Sequence, residues 1–201
     1  MATMLAYVVT DCAIAKDVLQ DMQKKITDTT YNMVTVDGDT STNDTATLIA
    51  NGMAGNPLID KAEGADYEAV YAAIYNITEF LSMAIAADGE GATHLITVDL
   101  KGAPDDETAK IIAKSVAGAS LVKAAVFGAD ANWGRVLCAM GYAGPVFDQM
   151  TVDMAFASAA GREPVFIQGV PQNFSEENAL KILKEHDVTI EIDMHSGDAK
   201  A

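Results

Sequence analysis

Strand-like and helix-like segments alternate along this 201-residue chain, which restricts it to folds in which helices pack on sheets. The longest helical segment, Asp66–Ala86, repeats apolar residues at spacings of three and four, and this spacing places them on one face. Strand-like segments such as Met4–Thr10 and Val188–Met194 are either apolar almost throughout or alternate in polarity. The sequence therefore predicts an α/β (α+β) fold.

The other elements are predicted from short apolar runs bounded by turn and capping residues. Helices are expected over residues 11–25, 41–50, 104–118, 133–140 and 175–185. Strands are expected over residues 32–36, 94–100, 121–127, 150–156 and 164–168. We find no internal repeat and no low-complexity segment. Nothing resembles a flexible linker between autonomous domains, so we expect residues 1–201 to belong to a single region.

Composition excludes several kinds of partner. Half of the residues are apolar, so the chain can bury a substantial core. The formal net charge of −16 disfavours nucleic acid and anionic membrane surfaces, because both require clustered lysine and arginine. We find neither an unbroken apolar run of about 18 residues nor a basic leader at the N-terminus. Cys12 and Cys138 are far apart and show no CxxC pattern. We therefore expect a soluble, cytoplasmic protein without disulfides.

Familiar ligand sites find no support. Acidic residues between Asp37 and Asp44 resemble a calcium loop, but Thr42 occupies the required glycine position and Leu48 the acidic twelfth position. A tight turn whose side chains cap backbone groups and a helix explains this loop better, and Ser41, Thr42 and Asn43 can all cap the helix expected to follow. Glycine-rich phosphate-binding patterns are absent. The histidines lack metal-ligand spacing and a visible serine or aspartate partner; they are His94, His186 and His195. We expect neither a metal nor a nucleotide.

Thr3 is a candidate nucleophile. If the chain is cut after Ala2, Thr3 carries a hydroxyl and a free α-amine on one residue, so that the nucleophile brings its own base. Threonines near chain termini are common, however, and the simpler interpretation is the start of a β-strand. The rest of the sequence has to decide between these interpretations.

Four ordered segments together resemble one protein family. The segments are Ala2–Leu5, Val36–Thr45, Asp88–Thr93 and Phe127–Arg135. The family is the bifunctional ornithine acetyltransferase/glutamate N-acetyltransferase of arginine biosynthesis. The resemblance runs from Met1 to about Ala199, and the four motifs in order are far more specific than any one of them.

The resemblance implies that the chain is the β chain of a self-cleaving precursor, cut between Ala2 and Thr3. It also implies a layered αββα-type sandwich completed by a separate α chain, in an α2β2 heterotetramer. Thr3 would be the catalytic residue and would also contact the substrate, while the α chain would supply the oxyanion donors. Residues 1–201 would be a β-chain portion, because the C-terminal end of the family pattern is missing after Ala201.

The same resemblance implies the chemistry. An acetyl group would pass from N-acetylornithine to Thr3 and then to glutamate, with no organic cofactor and no metal. Acetyl-coenzyme A is an alternative acetyl donor in some members. The substrates would be small amino acids and their N-acetyl derivatives.

Three further groups allow a functional and a structural interpretation. Glu90 lies between two glycines after the long helix, and spacing alone indicates a solvated acid. The resemblance instead implies that Glu90 binds the substrate amine. The segment Asn132–Arg135 could line the site, but we favour a structural role at a strand-to-helix junction. The match of the Asp37–Asp44 loop to the family also leaves room for a role in shaping the site near Thr3.

Two alternatives remain open. An N-terminal-nucleophile aminopeptidase or amidase of related architecture would use water in place of glutamate as the acceptor. A catalytically silent scaffolding fragment that needs its α partner is the alternative from another class, since Met1 and Ala2 are still attached.

Overall fold

Two parallel strands and two helices form the first of two units in the chain. The computed structural model describes residues 3–201, and the units meet between Gly89 and Glu90. Ala2, one side of the predicted cleavage site, lies outside the described residues. The first unit contains β1 (Leu5–Thr10), α1 (Lys16–Thr29), a 3-10 turn (Tyr31–Met33), β2 (Thr45–Ala50) and α2 (Ala65–Ala87).

The core of the first unit follows from helical spacing. Val18, Met22 and Ile26 recur every four residues along α1 and are all buried. They pack in one cluster with Leu48 of β2 and Ile74 of α2. β1 and β2 pair in parallel from Leu5 opposite Thr45 to Thr10 opposite Ala50, with both helices on one side of the two-stranded sheet.

The second unit, residues 90–201, contains a five-stranded mixed sheet with the strand order β3-β7-β4-β5-β6. Its strands are β3 (Leu95–Lys101), β4 (Asp153–Ser158), β5 (Gly161–Ile167), β6 (Val170–Pro171) and β7 (Asp187–Asp193). Its helices are α3 (Asp106–Gly118), α4 (Ser120–Phe127), α5 (Trp133–Gly141) and α6 (Glu176–Leu183). β3 and β7 run parallel, whereas the other neighbours are antiparallel.

Strand β7 shows how the sequence determines the buried face of this sheet. Val188, Ile190 and Ile192 alternate with polar residues and are each about 1% exposed. Asp105 and Ser175 cap the first turns of α3 and α6 by accepting hydrogen bonds from the backbone N–H of Thr108 and Asn178. Periodicity and caps together explain most of this unit.

Three predicted elements are wrong. Residues 121–127 form helix α4 and not a strand, since a seven-residue apolar run does not distinguish the two and the alanine-rich sequence favours a helix. Residues 32–36 form the end of the 3-10 turn and a loop. Residues 41–50 form a loop followed by β2, because the side chains interpreted as helix caps bond to other segments. The β-branched Thr45, Thr47 and Ile49 also favour a strand.

Helix α2 is the one helix among residues 3–201 that is long and apolar enough to cross a bilayer, judged by length and composition alone. Its apolar stretch has a mean hydropathy of 1.3, and 17% of it is buried within the structure. A single such helix is weak evidence for a membrane segment, because core helices of soluble proteins can have the same composition. The absence of a membrane partner stays a prediction.

Candidate active site

The parallel pairing of β1 and β2 determines what surrounds Thr3. Thr3 precedes β1 by two residues, and Leu5 lies opposite Thr45 at the start of β2. The backbone N–H of Thr45 donates to the carbonyl oxygen of Met4 over 2.8 Å. The exposed Thr3 therefore lies beside the loop that leads into β2, although 38 residues separate it from its side-chain contact there.

That contact joins two hydroxyl groups. Thr3 Oγ1 and Ser41 Oγ are 2.9 Å apart, which is hydrogen-bond distance. Ser41 Oγ also accepts a hydrogen bond of 3.1 Å from the backbone N–H of Asn43. The predicted nucleophile thus has a neighbouring hydroxyl whose own orientation is constrained by a backbone donor.

Asp44 holds the two segments together. Its Oδ1 accepts from the backbone N–H of Met4 over 2.8 Å, and its Oδ2 accepts from the backbone N–H of Ser41 over 3.2 Å. Because one carboxylate bonds to the residue after Thr3 and to Ser41 itself, it constrains the separation of the two hydroxyl-bearing residues. A carboxylate accepting two backbone donors is a strong form of this link.

Sequence reasoning favoured a turn and helix-capping role for the loop that contains Ser41 and Asp44, but its match to the family left room for a role near Thr3. The sequence did not reveal which contacts the two residues make. The turn itself is present, since the carboxylate of Asp37 accepts from the backbone N–H of Asp39 over 2.9 Å. The loop therefore combines local turn bonds with bonds to the start of the chain.

Glu90 lies in the turn predicted for it. Helix α2 ends at Ala87, and Gly91 adopts a φ of +70°, a conformation that glycine reaches without strain. The side chain of Glu90 is exposed, and the residue opens the second unit. Its assignment to the substrate amine stays a prediction.

The segment Asn132–Arg135 makes the contacts of a structural junction. Asn132 caps α5, since its Oδ1 accepts from the backbone N–H of Arg135 over 3.1 Å. Trp133 stacks on Phe166 of β5, with ring centroids 5.0 Å apart. These contacts agree with the structural interpretation, except that the junction joins α4 to α5, two helices.

All three histidines have hydrogen-bond partners that the sequence did not reveal. His94 lies 2.8 Å from Thr93 Oγ1 and 3.1 Å from the carbonyl oxygen of Leu183. The side chains of His186 and His195 contact carboxylates, at 2.6 Å for Asp187 and 2.8 Å for Asp153. The expectation that no histidine has an aspartate partner is wrong, because sheet pairing and chain neighbours supply two.

The contact between His195 and Asp153 changes the pKa of both groups. The hydrogen bond that His195 donates to the Asp153 carboxylate raises the pKa of His195, which is also next to Asp193. Burial opposes ionisation of Asp153, but hydrogen bonds from His195 and from the backbone N–H of Gln168 lower its pKa below the ordinary value. Asp153 is the first residue of β4 and His195 follows β7 by two residues, so the pair lies in the second unit.

No group of three or more histidine, cysteine, aspartate or glutamate side chains within residues 3–201 is arranged to hold a metal ion. Cys12 and Cys138 are both free thiols, as the sequence predicts. Among the described residues, three hydrogen bonds connect Thr3, Met4, Ser41 and Asp44: one between the two hydroxyls and two from backbone N–H groups to the Asp44 carboxylate.

A model of the ArgJ family matches residues 1–201. The chain belongs to the ArgJ family. It is 44% identical over 198 residues to the "Arginine biosynthesis bifunctional protein ArgJ" of Thermotoga neapolitana, which covers 98% of this chain and 49% of the relative. The chain is also 47% identical over 199 residues to the protein of the same description from Geobacillus kaustophilus, and this match covers 98% of the chain and 47% of the relative.

The fold is that of an ArgJ protein of known structure. The crystal structure of the Bacillus halodurans protein, described as "Arginine biosynthesis bifunctional protein argJ", superimposes with a TM-score of 0.93 at 44% identity. The match covers 99% of this chain and 92% of that chain. The predicted family and the predicted mixed α/β fold are therefore confirmed. The chain spans about half the length of the curated ArgJ relatives it matches.

Proposed function

We propose that this chain is the β part of an acyltransferase that moves an acetyl group from N-acetylornithine to glutamate through an acetyl ester on Thr3. The observation that supports it best is the Thr3 hydroxyl, held beside Ser41 in a chain of the ArgJ family. Relatives described as bifunctional proteins of arginine biosynthesis support the pathway. We also propose a cytoplasmic location.

The reaction has two half-reactions. After cleavage behind Ala2, the α-amine of Thr3 accepts the hydroxyl proton while Oγ1 attacks the acetyl carbonyl carbon. The resulting ammonium group gives that proton to the departing ornithine nitrogen as the C–N bond breaks. In the second half-reaction, the amine of glutamate attacks the ester carbonyl carbon and loses a proton to the α-amine of Thr3. The C–Oγ1 bond then breaks, and Oγ1 recovers the proton.

The transfer requires neither a metal nor an organic cofactor, because the donor brings the acetyl group and the acceptor brings the nucleophilic nitrogen. Acetyl-coenzyme A remains a second candidate donor for the same ester. The tetrahedral intermediate requires hydrogen-bond donors for its oxyanion. We propose that the other half of the precursor supplies them.

A face of the first unit is suited to binding that other half. Leu5, Tyr7 and Val9 point to one side of β1 and are 61%, 59% and 67% exposed. Ile49 of the paired strand β2 is 44% exposed. A contiguous apolar sheet face is typical of an interaction surface. We propose that the α chain covers it and that two such pairs form an α2β2 assembly.

Expression of the uncut precursor tests the function. Transfer of labelled acetyl from N-acetylornithine to glutamate should occur with the wild-type protein. Thr3→Ala should abolish transfer and cleavage, whereas Thr3→Ser should keep some of each because the hydroxyl survives. Replacing glutamate by water as the only acceptor separates transfer from the amidase alternative. A protein without activity toward either acceptor would support the silent scaffold.

Glu90→Gln tests the proposed substrate contact. Loss of the negative charge should weaken binding of a substrate amine, so we expect a raised KM for N-acetylornithine and a smaller change in kcat. Glu63→Gln, another exposed glutamate of the chain, is the matched control. An unchanged KM would leave Glu90 as a solvated acid at the end of α2.

A further inference from the structure

We propose that Ser41 is a second catalytic residue, whose hydroxyl stabilises Thr3 Oγ1 whenever that oxygen carries negative charge. This inference rests on the proposed function, because it concerns the oxygen that would receive the acetyl group. Its basis is the 2.9 Å separation of Thr3 Oγ1 and Ser41 Oγ. A group at that distance touches the reacting atom itself.

The other bond of Ser41 determines which way its proton can point. A serine hydroxyl has one proton to donate and two lone pairs that accept. One lone pair of Ser41 Oγ already accepts from the backbone N–H of Asn43 over 3.1 Å. In the resting state the second can accept from Thr3. Once Thr3 Oγ1 has lost its proton, the Ser41 hydroxyl can turn its own proton toward that oxygen.

The geometry is held by bonds that do not involve either hydroxyl. Asp44 accepts from the backbone N–H of Met4 through one oxygen and from that of Ser41 through the other, at 2.8 and 3.2 Å. The carbonyl oxygen of Met4 also accepts from the backbone N–H of Thr45 over 2.8 Å. Asp44 is therefore a positioning residue. It keeps Ser41 within reach of Thr3 before and after acetylation.

Ser41 neither gains nor loses a proton over the two half-reactions. In the first half-reaction the proton of Thr3 moves to the α-amine and then to the departing amine, while the Oγ1–C bond forms. In the second, the Oγ1–C bond breaks and Oγ1 develops negative charge until the α-ammonium returns a proton. The Ser41 hydroxyl donates a hydrogen bond to Oγ1 in both charged stages and keeps its own proton throughout.

If Ser41 is catalytic and not structural, removing its hydroxyl should slow acetylation without destabilising the protein. Its side chain bonds at an exposed surface, so removing the hydroxyl leaves no buried donor or acceptor without a partner. Thermal stability should change little. A hydrogen bond to a charged oxygen is stronger than one between neutral groups, so the rate of acetylation should fall by about 10- to 100-fold.

The test uses both co-expressed precursor halves, with Thr3 exposed by a removable leader so that maturation does not depend on Ser41. Single-turnover acetylation of Thr3 by N-acetylornithine is followed by intact mass in the wild type, in Ser41→Ala, in Ser41→Thr and in Thr42→Ala. Thr42 is an exposed hydroxyl residue in the same loop, and no hydrogen bond of its side chain to residues 3–201 is present. It is the matched control.

We expect slower acetylation in Ser41→Ala at an unchanged thermal midpoint, substantial recovery in Ser41→Thr and wild-type rates in Thr42→Ala. In the Ser41→Ala background, adding Asp44→Asn should cost less rate than it does in the wild type, because part of the effect of Asp44 passes through Ser41. Wild-type acetylation in Ser41→Ala, or an equal loss in Thr42→Ala, would overturn the proposal. If even the wild-type protein forms no acetyl-Thr3, the proposed function fails and not this inference alone.

Discussion

In both units the strands alternate between side chains that face the core and side chains that face outward, but the outward-facing residues differ in polarity. In β7, Ile190 faces the core while Glu191 on the other side pairs with Arg162 at 2.7 Å. In β1, Ala6 faces the core, but Tyr7 and Val9 on the other side are apolar and more than half exposed. The outward side of β7 is thus polar, whereas the outward side of β1 is apolar.

The first unit also contains a pocket among its strands and helices, with Tyr31 and Thr78 in its lining. The hydroxyl of Tyr31 is buried and makes no hydrogen bond to residues 3–201. Two strands alone are marginally stable, whereas five strands covered by helices supply a core of their own. We infer that the first unit, which carries Thr3, is the part that depends on a partner.

The largest expected effect is on the core of the second unit. Ile190→Ala removes a side chain that is 1% exposed at the centre of the sheet and should lower the free energy of unfolding by about 2–5 kcal/mol. Trp133, the only tryptophan, lies in this unit and reports its unfolding by fluorescence during urea titration. Ile49→Ala, at an exposed position in β2, should change the free energy of unfolding measured in the same way by no more than about 0.5 kcal/mol. Equal losses would erase the contrast between the units.

The next effect concerns association. Val9→Thr keeps a β-branched side chain but places a hydroxyl on the apolar face of β1. Burying that hydroxyl without a partner costs about 1–3 kcal/mol, so binding to the other precursor half should weaken by about 5- to 150-fold. The stability of this chain alone should change by less than about 1 kcal/mol.

The matched control for association is Val170→Thr, the same change at a valine that is 54% exposed in β6 of the second unit. Isothermal titration or surface plasmon resonance measures both variants against the wild type. Unchanged binding in Val9→Thr would contradict the assignment of the β1 face to the partner.

The comparison also shows what the sequence could predict. The long helix and the alternating strand β7 were predicted correctly because their periodicity is strong. The helix over residues 121–127 was predicted as a strand, since a short apolar run is compatible with both. The loop before β2 was predicted as a helix because Ser41, Thr42 and Asn43 look like local caps. Only the parallel pairing of β1 with β2, a non-local event, brings Ser41 to Thr3.

The smallest effect concerns the contact between His195 and Asp153 in the second unit. Asp153→Asn removes the carboxylate that raises the pKa of His195, so the imidazole should titrate at lower pH in an NMR titration. Asp198→Asn, an exposed acid farther along the tail, should leave it in place.

The sign of the effect on stability follows from the two pKa directions. The raised pKa of His195 adds stability that is fully present below the ordinary histidine value of about 6.5 and is lost as the pH rises through the folded value. The lowered pKa of Asp153 adds stability above its ordinary value of about 3.9 that is lost as the pH falls. The pair therefore contributes most between about pH 4 and 6.5. If the stability of Asp153→Asn depends on pH in the same way as that of the wild type, the pair does not stabilise the protein in this pH range.

The central claim is that the first unit provides the nucleophile, and mass analysis tests it most directly. The mature protein, with both halves present, is exposed briefly to N-acetylornithine, and its peptides are then mapped. Covalent catalysis at Thr3 requires an added acetyl group of about 42 Da on the peptide that begins at Thr3, and glutamate should remove it. Acetyl on another residue, or full transfer activity in Thr3→Ala, would contradict the account.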